Sequence, residues 1–210
     1  MHVVLLGDSV FDNGAYVGGG PDVVAQLRER LPRGSQATLL AVDGSVASGV
    51  ERQLARLPEG ATHLVVSTGG NDALGRVDIL QEGASTAAEV LERLAEVSCH
   101  FERNYRLMVA ALLARRLPCA LSTIYYPRFT NPLMQRLAVS ALAHFNDPIQ
   151  RAAFTNGLPL IDLRLVCDSE EDYANPIEPS ARGGAKIAAA IARLVTEHDF
   201  SRGRTEVFTR

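Results

Sequence analysis

Short apolar runs alternating with longer segments of helical period restrict this chain to a layered α/β architecture. The runs are His2–Leu6, Thr38–Val42, His63–Ser67, Cys119–Thr123 and Leu158–Ile161. Each is nearly continuous in apolar residues, as a strand must be when helices cover both faces of its sheet. The segments between them carry helix signals. Pro21 suits a first turn and Asp22 its positive end, with Val23, Val24, Leu27 and Leu31 on one stripe. A short helix should hold Leu54 and Leu57, and a long one should run over about Ser85–Arg116 with a break near Ser98. Another is predicted from about Pro132 to Asn156. Ser180 is a good N-cap for the last, whose buried stripe is Ile187, Ile191, Leu194 and Val195. Strands and helices in this order form βαβ units, and right-handed crossovers wind them into a parallel sheet with ligands bound beyond the carboxyl ends of its strands.

With 210 residues, 47% of them hydrophobic, the chain can bury one α/β core. No repeat or linker interrupts it, so one domain is expected over residues 1–200, with a polar tail at 201–210. The net charge of −3, with its signs interspersed, gives no footprint for nucleic acid. No run is long and apolar enough to span a bilayer. Met1 leads straight into His-Val-Val-Leu-Leu, without the basic, apolar and cleavage regions of a secretory signal, and the expected location is cytoplasmic. Cys99, Cys119 and Cys167 are odd in number and widely spaced, which argues against a disulfide framework or zinc site and for buried thiols. No metal or cofactor is expected. The acidic run Asp168–Asp172 lacks the glycine of a calcium loop, and Gly18-Gly19-Gly20 lacks the lysine of a phosphate loop.

The chemistry gathers at strand ends. Ser9, in Gly7-Asp8-Ser9, follows the first run, where a turn can lift its hydroxyl into a cleft for use as a nucleophile. Gly44 follows the second run and lets its backbone N–H approach a substrate oxygen closely. Gly69-Gly70-Asn71-Asp72 follows the third, where Asn71 offers a neutral amide to a developing oxyanion and Asp72 can brace the loop. Each block alone is also an ordinary turn. Tyr125, after the fourth run, either lines a substrate pocket or packs at a strand end.

Together with Asn175-Pro176-Ile177-Glu178-Pro179-Ser180 before the last helix, these blocks resemble those of the SGNH/GDSL hydrolases. The resemblance runs from Ser9 to the last helix. It implies a flavodoxin-like, three-layer α/β/α sandwich with a five-stranded parallel sheet, and hydrolysis of a small ester or acylated substrate. It implies Ser9 as nucleophile, oxyanion donors at Ser9, Gly44 and Asn71, and supporting roles for Asp8 and Asp72. The triad acid and base would fall at Asn175 and Glu178, where the family pattern has aspartate and histidine. A neutral Asn175 cannot serve as the acid, and an ordinary carboxylate is a weak base at neutral pH. Three readings stay open. Glu178 is the base, with an acid drawn from Asp168, Glu170, Glu171 or Asp172; a histidine elsewhere takes over; or the protein binds an acyl or glycan ligand without efficient turnover.

Overall fold

The computed structural model describes residues 1–209. Its strands are β1 (His2–Gly7), β2 (Gln36–Leu39), β3 (His63–Ser67), β4 (Cys119–Ser122), β5 (Leu160–Ile161) and β6 (Val207–Phe208). They form one parallel sheet in the order β2-β1-β3-β4-β5-β6. The expected five strands are therefore six. The sixth comes from the segment expected to be a polar tail. Phe208 is buried there, and Val207–Phe208 pairs with the otherwise open edge of β5, which covers an edge that would otherwise be left unpaired. β2 also lies earlier than its apolar run. Leu40 and Ala41 both donate to the Leu5 carbonyl at 2.9 Å, a bulge that breaks the regular ladder, and Val42 then donates to the Gly7 carbonyl at 3.1 Å.

Alternate residues of the central strands face opposite layers. Val3, Leu5, Val65 and Ala120 enter a core with α1 (Val23–Arg30) and the C-terminal helix, whereas Val4, Leu6, Leu64 and Leu121 enter a second core beneath two long helices. Both faces are dry, which explains the continuous apolar runs. The remaining helices are α2 (Val50–Leu54), α3 (Gly70–Leu74), α4 (Ala87–Leu113), α5 (Pro132–Asn156), α6 (Leu163–Val166) and α7 (Ala181–Glu197). Among the described residues no helix is long and apolar enough to cross a membrane.

Helix ends follow their sequence signals. Asp22 caps α1 through Ala25, with Pro21 just outside it; Asn131 caps α5 ahead of Pro132, and Ser180 caps α7 through Gly183. The expected break at Ser98 is absent, because that serine is used between helices. Pro148 lies inside α5 and has no N–H for the His144 carbonyl four residues before it. The Ser98 hydroxyl donates to that carbonyl at 2.8 Å. Ser98→Ala should cost about 1 kcal/mol by leaving the carbonyl unpaired, measurable by urea denaturation. Of the cysteines, Cys119 and Cys167 are buried but Cys99 is exposed, contrary to the expectation for all three.

The rim that carries the site is set by two strand-end glycines. Gly7 (φ +122°) ends β1 and Gly69 (φ +121°) follows β3, conformations that L-residues rarely adopt. A Cβ on Gly7 would come within 1.7 Å of the Ser67 carbonyl oxygen. The Gly7 peptide is also clamped by buried Gln53, which accepts from its N–H at 2.7 Å and donates to its carbonyl at 2.8 Å. Gly7→Ala should therefore cost roughly 3 kcal/mol or more, by combining backbone strain with overpacking, and would appear as a lowered midpoint of chemical denaturation.

Candidate active site

Ser9 leaves the end of β1 in a tight turn. Asp8 donates its N–H to the Ser67 carbonyl at 3.1 Å, and the Asp8 carbonyl accepts from Phe11 and Asp12. The turn leaves the Ser9 backbone N–H without a partner among the described residues, so a donor is preset beside the hydroxyl. Gly44 is exposed, with φ +76°, and its N–H is likewise unpartnered among the described residues. Its loop is pinned toward the turn after Ser9. Asp43 donates its N–H to the Asp12 carboxylate at 2.9 Å and accepts from the Tyr16 hydroxyl at 2.7 Å.

Glu178 reaches the same place from the other end of the chain. Its backbone is gripped twice: its N–H donates to the Asn175 side-chain oxygen at 3.0 Å, and its carbonyl accepts from Ala174 at 2.8 Å. Asn175 also accepts from Ile177 at 3.0 Å, so it folds its own turn from an exposed position. Glu178 as a residue is 7% exposed and lines the cavity that Ser9 lines. Ser9 lies close enough for its hydroxyl to favour the charged form of the Glu178 carboxyl. No hydrogen bond joins Ser9 and Glu178 among the described residues, and the Glu178 Oε2 is buried and unpartnered. Contacts of this kind tighten in substrate complexes.

Asn71 stands across the cavity floor, on α3. One of its two amide protons goes to the Ser45 carbonyl at 3.0 Å, leaving the second for another acceptor. Asp72 braces the same loop by accepting from the Ala47 N–H at 2.9 Å. Tyr125 lines the cavity and donates to the Ile177 carbonyl at 2.6 Å, with its ring edge-on to Tyr173. It thereby holds the residue next to Glu178.

The electrostatics are dominated by burial. Desolvation raises the Glu178 carboxyl above its ordinary range; the Ser9 hydroxyl opposes that shift and Asp43 adds to it. Asp8 is buried beside Ser9 and is pushed up to about 8, mainly by desolvation, with Glu178 and Asp72 adding repulsion. Two carboxyl groups of raised pKa, Asp8 and Glu178, therefore line the cavity that Ser9 lines.

The acids expected to support Glu178 lie elsewhere. Asp168 and Asp172 each bind the Lys186 ammonium at 2.7 Å, and Arg182 faces Glu171 and Asp172 rather than Glu178. The carboxyl groups that act on Glu178 are Asp43 and Asp8. No histidine lines the cavity. His2 and His63 sit at strand starts, His100 approaches the Asn104 amide, and His198 is buried against Glu206. Two further residues were given no role from sequence. Asn13 is fully buried and donates to the Pro179 carbonyl at 3.2 Å while accepting from Val23, joining the Ser9 turn to the Glu178 loop. Its position four residues after Ser9 was the available signal. Thr68 is buried on the cavity floor with its hydroxyl unpartnered among the described residues.

The cavity encloses about 150 Å³. Its polar groups, chiefly Asp8, Ser9, Thr68, Asn71 and Glu178, lie on one floor, and its walls are almost wholly apolar.

A parallel sheet with helices on both faces, a serine beyond β1 and an amide beyond β3 match the SGNH hydrolase class of α/β fold, with Glu178 standing where that class has its histidine. The model of the GDSL-like lipase/acylhydrolase family matches residues 5–186, and the chain belongs to that family. Its fold is similar to that of the extracellular lipase of Streptomyces rimosus, at 15% identity and TM-score 0.67 over 95% of this chain and 100% of that one. It is also similar to the acetyl xylan esterase AlAXEase, at 17% identity and TM-score 0.65 over 90% and 96%. A third similar structure is Est24, a carbohydrate acetylesterase of Sinorhizobium meliloti, at 12% identity and TM-score 0.64 over 93% and 98%. No curated protein matches the sequence.

Proposed function

We propose that the protein is a carboxylic-ester hydrolase in which Ser9 is the nucleophile and Glu178 takes the place of a histidine base. What carries this reading is the placement of Glu178: buried, lining the same cavity as Ser9, and clear of Arg182. A carboxylate tied to an arginine or turned to solvent would have no raised basicity to use.

In the first half-reaction the Ser9 oxygen attacks the acyl carbon and its proton passes to Glu178. The carbonyl oxygen becomes an oxyanion, within reach of donors from the Ser9 N–H, the Gly44 N–H and the second Asn71 amide proton. One such donor contributes roughly 3–4 kcal/mol to the transition state. Collapse expels the alcohol, which takes the proton from Glu178. Water then attacks the acyl-serine, Glu178 accepts the water's proton, and the proton returns to Ser9 as the acid leaves. Asp8, holding its proton at neutral pH, keeps a second negative charge away from the oxyanion.

The family and the similar esterases support this reaction class. Ser9→Ala should lower kcat/KM for p-nitrophenyl esters by at least about 10³-fold. Turnover that is unchanged in that variant would overturn the proposal.

A further inference from the structure

The walls of the cavity say which part of an ester it receives. Beyond the polar floor, one side is built from Leu74 and Val77 on and after α3, and the other from Met134, Ala138 and Leu142 of α5, with Val97 of α4 beneath. Leu74, Val77 and Met134 are 44%, 50% and 37% exposed, although large apolar side chains gain from burial. Few hydrogen-bonding groups interrupt these walls; Arg76 is the one charged side chain on them. A sugar ring, whose hydroxyls need partners, would leave several of them unpaired there.

The side of the ester is set by proton transfer, so the inference rests on the hydrolase reading above. Glu178 gives its proton to the leaving oxygen, so the alcohol lies on the Glu178 side. Ile177 and Tyr125 cover Glu178 on the cavity side, whereas the exposed Tyr16–Asp43 hydrogen bond of 2.7 Å, whose carboxylate acts on the Glu178 carboxyl, lies outside the cavity lining. The acyl part is left to the apolar walls. We infer that the site is built for esters of a linear hydrocarbon acyl chain of about eight carbons or more, with the chain lying between α3 and α5, and not for acetyl esters.

The test is a series of p-nitrophenyl esters from acetate to dodecanoate, held below their aggregation limits. Each buried methylene can contribute up to about fourfold, so kcat/KM should rise at least 100-fold from acetate to octanoate. Ala141→Phe narrows the cavity from α5, where Ala141 is part of the lining, and should cut the octanoate-to-acetate ratio tenfold or more. A ratio that is flat or falling, with turnover still dependent on Ser9, would overturn the acyl-chain inference and leave the hydrolase reading standing. Absence of Ser9-dependent turnover on every ester would count against the hydrolase. Calorimetry of decanoate with Ser9→Ala then decides the pocket. Binding weakened tenfold by adding Ala141→Phe supports the inference, and no binding overturns it.

Discussion

Glu178→Gln should lower kcat for ester hydrolysis by about 10²–10⁴-fold, the range that positioned acid–base groups supply. Glutamine keeps the shape of the side chain and its place on the Asn175 turn, but it cannot accept the Ser9 proton. The pH profile separates this from a packing defect. A base works unprotonated, so wild-type activity should rise with pH through the Glu178 ionisation, which burial places above the ordinary carboxylate range. It should fall again near pH 8, where Asp8 ionises and sets a negative charge beside the oxyanion. Glu178→Gln should lose the acid limb, and Asp8→Asn should lose the alkaline one. Profiles of kcat/KM from pH 4 to 10 for the three proteins check both.

Asp8→Asn should also reshape stability, through the same buried carboxyl. In the folded protein Asp8 holds its proton up to about pH 8, while the unfolded chain releases it near the ordinary aspartate value. Between those values the folded state binds more protons, so stability falls as pH rises. The contribution is complete below the unfolded pKa and is lost through the folded one. At about 1.4 kcal/mol per pH unit over roughly 4 units, the loss across this window is on the order of 5–6 kcal/mol. Asparagine carries no ionisation and keeps an oxygen for the Val10 N–H, which Asp8 binds at 3.2 Å. Urea denaturation should find the two proteins within about 1 kcal/mol of each other at pH 4 and the variant more stable at pH 9. Parallel pH curves would mean that Asp8 does not hold a proton in the fold.

Much of the architecture was legible because burial on both faces leaves an unbroken apolar run, as in β1 and β3. β6 was not, because two apolar residues among arginine, threonine and glutamate give no period. Phe208 is buried by a sheet edge that only the folded chain supplies. β2 shifted for a related reason: Leu40 and Ala41 are buried at a bulge where both donate to the Leu5 carbonyl, and burial alone does not tell a regular strand from such a bulge. In the site, Ser9 and Asn71 were legible because strand ends gather at one rim. Asp8 was named there, but its raised pKa comes mainly from burial that only the folded chain supplies, with repulsion from the sequence-distant Glu178 and Asp72 added. The Asn175 turn was local chemistry visible in principle, since asparagine readily accepts from the N–H groups two and three residues on.

The central claim is that Ser9 is activated by Glu178. The most direct test is covalent trapping with a p-nitrophenyl alkylphosphonate, followed by intact mass and peptide mapping. The account predicts one adduct on Ser9 in the wild type, formed at a rate that rises with pH through the Glu178 ionisation, and at least about 10²-fold slower trapping in Glu178→Gln. A Ser9 adduct formed equally fast in both proteins, or none on Ser9 at all, would contradict it.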